Sequence, residues 1–158
     1  MKALVVYYSR TGTTRKVGHE IARALAADED EIIEPGSRLG ILGYLKSGME
    51  GSRKTKVEIR TTKDPARYSI VIVGTPIWVN LSSPVRSYLS QNRGKLTKVA
   101  FFCTMGDKGW KKVFAEMEKE AEKKPVATLA LTSDEVKQGI GKEKLNDFLQ
   151  RIRHSHSI

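Results

Sequence analysis

Lys2-Ala3-Leu4-Val5-Val6-Tyr7-Tyr8-Ser9-Arg10-Thr11-Gly12-Thr13-Thr14 is the stretch that decides the fold. Lys2 to Tyr8 form a short, largely apolar and β-branched run, and Val17, Ile21, Ala22 and Leu25 then recur at helical spacing. Between the two lies a polar turn with a single glycine, so the order is strand, glycine loop, helix. Each of the loop's four side-chain hydroxyls can donate to an anion's oxygen. Gly12 lets the backbone approach closely, and a helix start offers unpaired amides and the positive end of its dipole. A plain helix cap needs one hydroxyl, not four. The pattern suits a phosphate monoester. It has neither the lysine of a nucleoside-triphosphate loop nor the glycine spacing of a dinucleotide fingerprint.

Working outward, the spacing predicts a short strand at about Glu31 to Glu34 and a glycine-rich stretch from Pro35 to Lys63, whose middle, Gly40 to Glu50, is read as a helix. Tyr68 to Gly74 is a continuous apolar run that ends in Thr75-Pro76-Ile77-Trp78-Val79-Asn80. Ser83 and Pro84 read as the cap and first residue of a helix carrying Val85, Tyr88 and Leu89. Val99 to Cys103 is a further strand, followed by the loop Thr104-Met105-Gly106-Asp107-Lys108-Gly109. Val113, Phe114, Met117 and Ala121 mark a helix, Val126 to Leu131 the last strand, and Leu145, Phe148, Leu149 and Ile152 the last helix. Strand and helix alternate, and the strands are continuously apolar rather than alternating. That predicts one α/β domain over residues 1–158, a three-layer sandwich of a parallel sheet with helices on both faces. With strand order 2-1-3-4-5, the three unusual loops lie side by side at the carboxyl edge, where such sheets bind ligands.

The chain has 158 residues, 39% of them hydrophobic, enough for a core without disulfides. Its one cysteine, Cys103, closes an apolar strand and reads as a buried, inert thiol. No apolar run approaches the ~20 residues that span a bilayer. With no leader pattern at Met1, the expectation is a cytoplasmic protein. Lys and Arg number 28 against 18 acids, a net charge of +10 spread over both halves of the chain, with seven basic and two acidic residues in Pro35 to Lys63. Such a charge attracts anions in general and selects none. The three histidines have no Cys or carboxylate at ligand spacing, so no metal site is expected. Glu116, Glu118, Glu120 and Glu122 among lysines read as a solvated, charge-paired helix face.

The Ser9-Arg10-Thr11-Gly12-Thr13-Thr14 loop after an amino-terminal strand resembles the phosphate loop of the flavodoxin family, whose members bind flavin mononucleotide (FMN). Gly74-Thr75-Pro76-Ile77-Trp78 resembles that family's first ring-flanking loop, and Thr104 to Gly109 stands where the second lies. Leu39 to Gly51 is similar to a stretch in poorly characterised flavodoxin-like proteins of bacteria and archaea. The likeness covers nearly the whole chain and implies a flavodoxin-like fold with FMN as cofactor. It implies that Ser9, Thr11, Gly12, Thr13 and Thr14 hold the phosphate, with Arg10 acting mainly through its backbone amide. Trp78 would lie against the isoalloxazine ring. Backbone groups of Pro76, Ile77, Val79 and Asn80, with Thr75 before them, and of Thr104, Met105, Gly106, Asp107 and Gly109 would meet its polar edge. No side chain is required as a catalytic acid or base, because the flavin carries the chemistry.

The chain departs from the family pattern in two ways. Trp78 is followed by Val79 and Asn80, not by the glycine whose peptide flips in many flavodoxins, and the net charge is positive where electron-transferring flavodoxins are usually acidic. The resemblance therefore implies an electron carrier with a different, acidic redox partner. A rival is an NAD(P)H-dependent quinone or flavin reductase on the same fold. A non-enzymatic binding module with a vacant flavin site is a third reading. Nucleic acid as partner has no aromatic RNA-binding motif to support it.

Overall fold

The computed structural model describes residues 1–36 and 57–157. Elements are numbered here in order among those residues. β1 (Ala3–Tyr7), β2 (Asp28–Glu31), β3 (Ile70–Pro76), β4 (Val99–Met105) and β5 (Thr128–Thr132) form one parallel sheet of order β2-β1-β3-β4-β5. The helices are α1 (Thr13–Leu25), α2 (Ser83–Asn92), α3 (Trp110–Ala121), the short α4 (Ser133–Gln138) and α5 (Lys142–His156).

The continuous apolar strands have a simple cause. Successive side chains of a strand point to opposite faces, and here both faces are covered. Leu4, Val6, Val71, Val73, Phe101 and Cys103 pack with Val85, Leu89, Val113 and Met117 of α2 and α3. Val5, Tyr7, Ile70, Ile72, Ala100 and Phe102 pack instead with Val17 and Ile21 of α1 and Phe148 and Ile152 of α5. β1, β3 and β4 are buried along their whole length.

Several elements differ from the sequence reading. The second strand is Asp28–Glu31, not Glu31 to Glu34. Two isoleucines draw the sequence reading onto 32 and 33, but Ile32 only follows the strand into the core, while Ile33 is exposed and pairs with Arg60 in an antiparallel bridge. The strand itself lies at the sheet edge and is acidic. Its one buried carboxylate, Asp30, accepts hydrogen bonds from the Thr62 amide (2.9 Å), the Thr62 hydroxyl (3.0 Å) and the Lys63 amide (2.8 Å). A burial cost that would otherwise fall on the charge is thus met by donors from the returning chain. β3, β4 and β5 each run further toward the carboxyl edge than the apolar runs suggest, and α2 begins with Ser82 as cap and Ser83 as first residue. The helix expected at Gly40 to Glu50 and the stretch Leu39 to Gly51 lie outside the described residues.

The glutamates of α3 are not simply a solvated face. Arg86 of α2, 4% exposed, donates to Glu116 (2.5 Å) and Glu120 (2.8 Å), so this pair is largely buried between α2 and α3. Glu122 alone of the four is exposed, and Arg93 reaches it at 3.1 Å.

Candidate flavin site

β1 pairs with β2 on one side and β3 on the other, so the chain order reverses between β1 and β3. The loops after these strands flank the crevice that such a reversal opens. The loop after β4 borders it as well.

In the first loop, Ser9 Oγ accepts from the amides of Gly12 and Arg15, both at 3.2 Å, and so folds the turn. Gly12 has φ of +96°, a conformation that disfavours any side chain, and caps α1 without a side-chain hydrogen bond. Among the described residues, the amides of Thr11, Thr13 and Thr14 meet no hydrogen-bond acceptor. No acidic residue stands in the first turn of α1, so nothing on the helix competes with an incoming anion. Thr11 and Thr13 hydroxyls lie 3.5 Å apart and accessible. Thr14 differs from the expectation for it: its side chain is buried, and its hydroxyl stands 2.7 Å from that of Thr104, joining the start of α1 to the end of β4.

The second and third loops are held to each other. The Ile77 amide donates to Thr104 O (2.8 Å), and Lys112 Nζ donates to Asn80 Oδ1 (3.0 Å). Gly109, at φ +104°, starts α3 as Gly12 starts α1, and a methyl group there would stand 3.3 Å from Ile77 Cγ2. Thr75 is fully buried; its hydroxyl donates to Pro76 O (2.9 Å) and lies 3.0 Å from Ser82 Oγ.

The three loops enclose an open cavity of about 310 Å³. Arg10, Thr11, Thr13 and Thr14 line it from the first loop, Pro76, Ile77 and Trp78 from the second, and Thr104, Met105 and Gly106 from the third. Of the other candidates, Ser9, Gly12, Thr75 and Asn80 shape the loops, Gly109 begins α3, and Val79 and Asp107 project to solvent. Arg10 does more than lend an amide. Its side chain lines the cavity, and its guanidinium carbon stands 5.4 Å from the centre of the Trp78 ring. Trp78 is half exposed and not a core aromatic. The lining also includes Ser133, whose hydroxyl donates to Met105 O at 3.2 Å. Sequence reasoning passed over it because it belongs to the short α4 after β5. Its only signal was Thr132-Ser133-Asp134-Glu135, a capping box in which Thr132 and Glu135 satisfy each other's amides.

Burial raises the Tyr8 phenol, and burial followed by the charge of Glu29 raises Tyr7 to about 12. Cys103 is fully buried, which pushes its thiol up to about 12 and keeps it protonated and inert. Among the described residues no cluster of three or more His, Cys, Asp or Glu is arranged to hold a metal, and no helix is long and apolar enough to cross a membrane.

A five-stranded parallel sheet of this order, with helices on both faces and three strand-end loops around one cavity, is the flavodoxin-like fold. Solved structures agree. A flavoprotein from Lactobacillus acidophilus NCFM, determined in complex with FMN, is 22% identical, with a TM-score of 0.71 over 87% of this chain and 97% of that one. Flavodoxin 2 from Bacillus cereus, in its oxidised form, is 17% identical, with a TM-score of 0.57 over 98% of this chain and 99% of its own. A flavodoxin from the domain Archaea is 18% identical, with a TM-score of 0.54 over 98% and 100%. No protein-family model matches the sequence, and no curated protein matches it.

Proposed function

We propose that this chain is an FMN-binding redox protein that carries electrons between a reductant and an acceptor. The observation that carries the reading is the coincidence, in one cavity, of an anion-ready helix start with an apolar, aromatic wall. The open amides of Thr11, Thr13 and Thr14 and the hydroxyls of Thr11 and Thr13 suit a phosphate dianion. Pro76, Ile77, Trp78 and Met105 suit a flat ring. When bound, FMN would supply the electron chemistry. The chain's own residues bind the phosphate, stack on the ring and keep water from one face of it, and no side chain need act as an acid or base. Titrating the purified protein with FMN, FAD and riboflavin while following flavin absorbance tests this. FMN is expected to bind, with riboflavin and FAD far behind. No flavin binding, or equal binding of FMN and riboflavin, overturns it.

A second reading, an NAD(P)H-dependent quinone or flavin reductase, draws support from the loop after Trp78. Asn80 is tethered to Lys112, and Ile77 bridges to Leu81, which holds the backbone where a flipping glycine would be free. A stiff loop favours electrons moving in pairs. Steady oxidation of NADPH by the FMN-loaded protein in the presence of a quinone supports this reading, and its absence removes it.

A further inference from the structure

Among the described residues, the cavity between the three loops is lined by one ionisable side chain, that of Arg10. The rest of the lining bears hydroxyls or is apolar, and no carboxylate belongs to it. Asp107, the acid of the third loop, projects to solvent. Two contacts place the guanidinium. On one side its carbon stands 5.4 Å from the centre of the Trp78 ring, a cation against an aromatic side chain. On the other it donates to the Tyr8 phenol: burial raises that phenol, and the Arg10 hydrogen bond offsets part of the rise. Tyr8 is itself fixed, since it packs in the core at 7% exposure and donates to Glu34 Oε2 at 3.5 Å. Glu34 stands behind Tyr8, outside the cavity lining. Arg10 therefore reaches from the first loop to the second and ends at the aromatic wall. The open amides of Thr11, Thr13 and Thr14 lie at the start of α1 instead. The helix start thus offers backbone donors to an anion, while the guanidinium adds a permanent positive charge at the apolar wall.

We propose that Arg10 determines which oxidation state of the flavin the site prefers, its charge holding reduced FMN more tightly than oxidised FMN. This role rests on the FMN reading. On taking up two electrons and one proton the isoalloxazine ring becomes an anion at neutral pH, whereas the phosphate carries the same charge before and after. A cation beside the ring wall acts on the difference between the two states. A cation spent on the phosphate would stabilise both states equally and leave the preference untouched.

The test uses the full chain, FMN, and dithionite as the reductant. Titrations with oxidised FMN and, without oxygen, with reduced FMN give two affinities, and their ratio fixes how far binding moves the two-electron potential from that of free FMN. Arg10→Gln is expected to weaken reduced FMN about tenfold more than oxidised FMN, the value of one contact to a charged group, which lowers the bound potential by about 30 mV. Arg10→Lys keeps the charge and is expected to recover more than about half of that shift. Lys119→Gln removes the same charge at an exposed position of α3 outside the cavity lining, and is expected to change the ratio less than about twofold. Wild-type binding separates the two claims. If FMN does not bind the wild-type chain, the functional reading fails and this role with it. If FMN binds, and Arg10→Gln weakens both oxidation states equally, Arg10 is a phosphate ligand and only this role is overturned. An unchanged ratio in Arg10→Gln, an equal shift in Lys119→Gln, or a shift in Arg10→Lys as large as in Arg10→Gln also overturns it.

Discussion

Replacing Arg86 by methionine removes a guanidinium that is 4% exposed and bound by charge-assisted hydrogen bonds to Glu116 and Glu120. The methionine keeps the side chain's length and apolar stem, so the change is mainly one of charge. What remains is two carboxylates one turn apart on α3, their side chains 13% and 15% exposed, with Arg93 still 3.4 Å from Glu120. Breaking a buried pair from one side typically costs about 3–5 kcal/mol, because the stranded charge keeps its desolvation penalty. Residual exposure and Arg93 lower that figure, and the expected loss is about 3 kcal/mol. The wild-type pair is itself imperfect, since Arg86 Nε and one Glu116 oxygen are buried without a partner. Neutralising one of the two carboxylates as well, as Arg86→Met/Glu116→Gln, should therefore recover part of the loss, and it leaves Glu120 beside Arg93. Urea unfolding followed by circular dichroism reads both. With a slope of about 2 kcal/mol per molar, the single variant should unfold roughly 1.5 M earlier, and the double variant should fall between it and wild type. A single-variant loss below about 1 kcal/mol, or a double variant less stable than the single, would refute the reasoning. Because α2 and α3 follow the loops after β3 and β4 that line the cavity, the single variant should also bind FMN more weakly than its stability alone requires.

Thr13→Val should weaken FMN by about tenfold, the value of one hydrogen bond to a charged group, and leave riboflavin unchanged; competitive titration of the two ligands checks it. Trp78→Ala should brighten bound FMN, since a stacked indole quenches flavin fluorescence, and loosen it by about 1–3 kcal/mol; unchanged fluorescence would place the ring away from the flavin. The folded state holds Cys103 and Tyr7 protonated to about 12, above their ordinary values of 9.0 and 10.0. Between those limits the unfolded chain binds fewer protons than the folded one, so their stabilisation is complete below about pH 9 and is lost as pH rises toward 12. Urea midpoints should fall over that window, less steeply in Cys103→Ala.

How much of this was legible depended on whether the signal was local. β1, β3 and β4 could be read because a strand buried on both faces needs an unbroken apolar run, and the three loops could be read because their composition is odd in itself. β2 was misplaced because Asp28–Glu31 has no apolar signal; its strand is made by pairing with β1 and by the donors of Thr62 and Lys63 around Asp30. Arg86 was invisible for the same reason. Its partners lie 30 and 34 residues away, and each taken alone looks like a surface charge. At the site, the inward turn of Thr14 and the presence of Ser133 both follow from contacts with β4, at Thr104 and Met105, which no spacing along the chain reveals.

The Thr14–Thr104 contact has a direction. Each hydroxyl owns one hydrogen, and a 2.7 Å contact between two hydroxyls consumes only one of the two. An acceptor arriving at the helix end draws the Thr14 hydrogen toward itself, and Thr104 must then donate to Thr14. An acceptor arriving at the end of β4 draws the Thr104 hydrogen and reverses the order. The polarity of the pair is therefore set by which end of the cavity holds the acceptor, and acceptors at both ends would draw both hydrogens outward and leave the 2.7 Å contact without one.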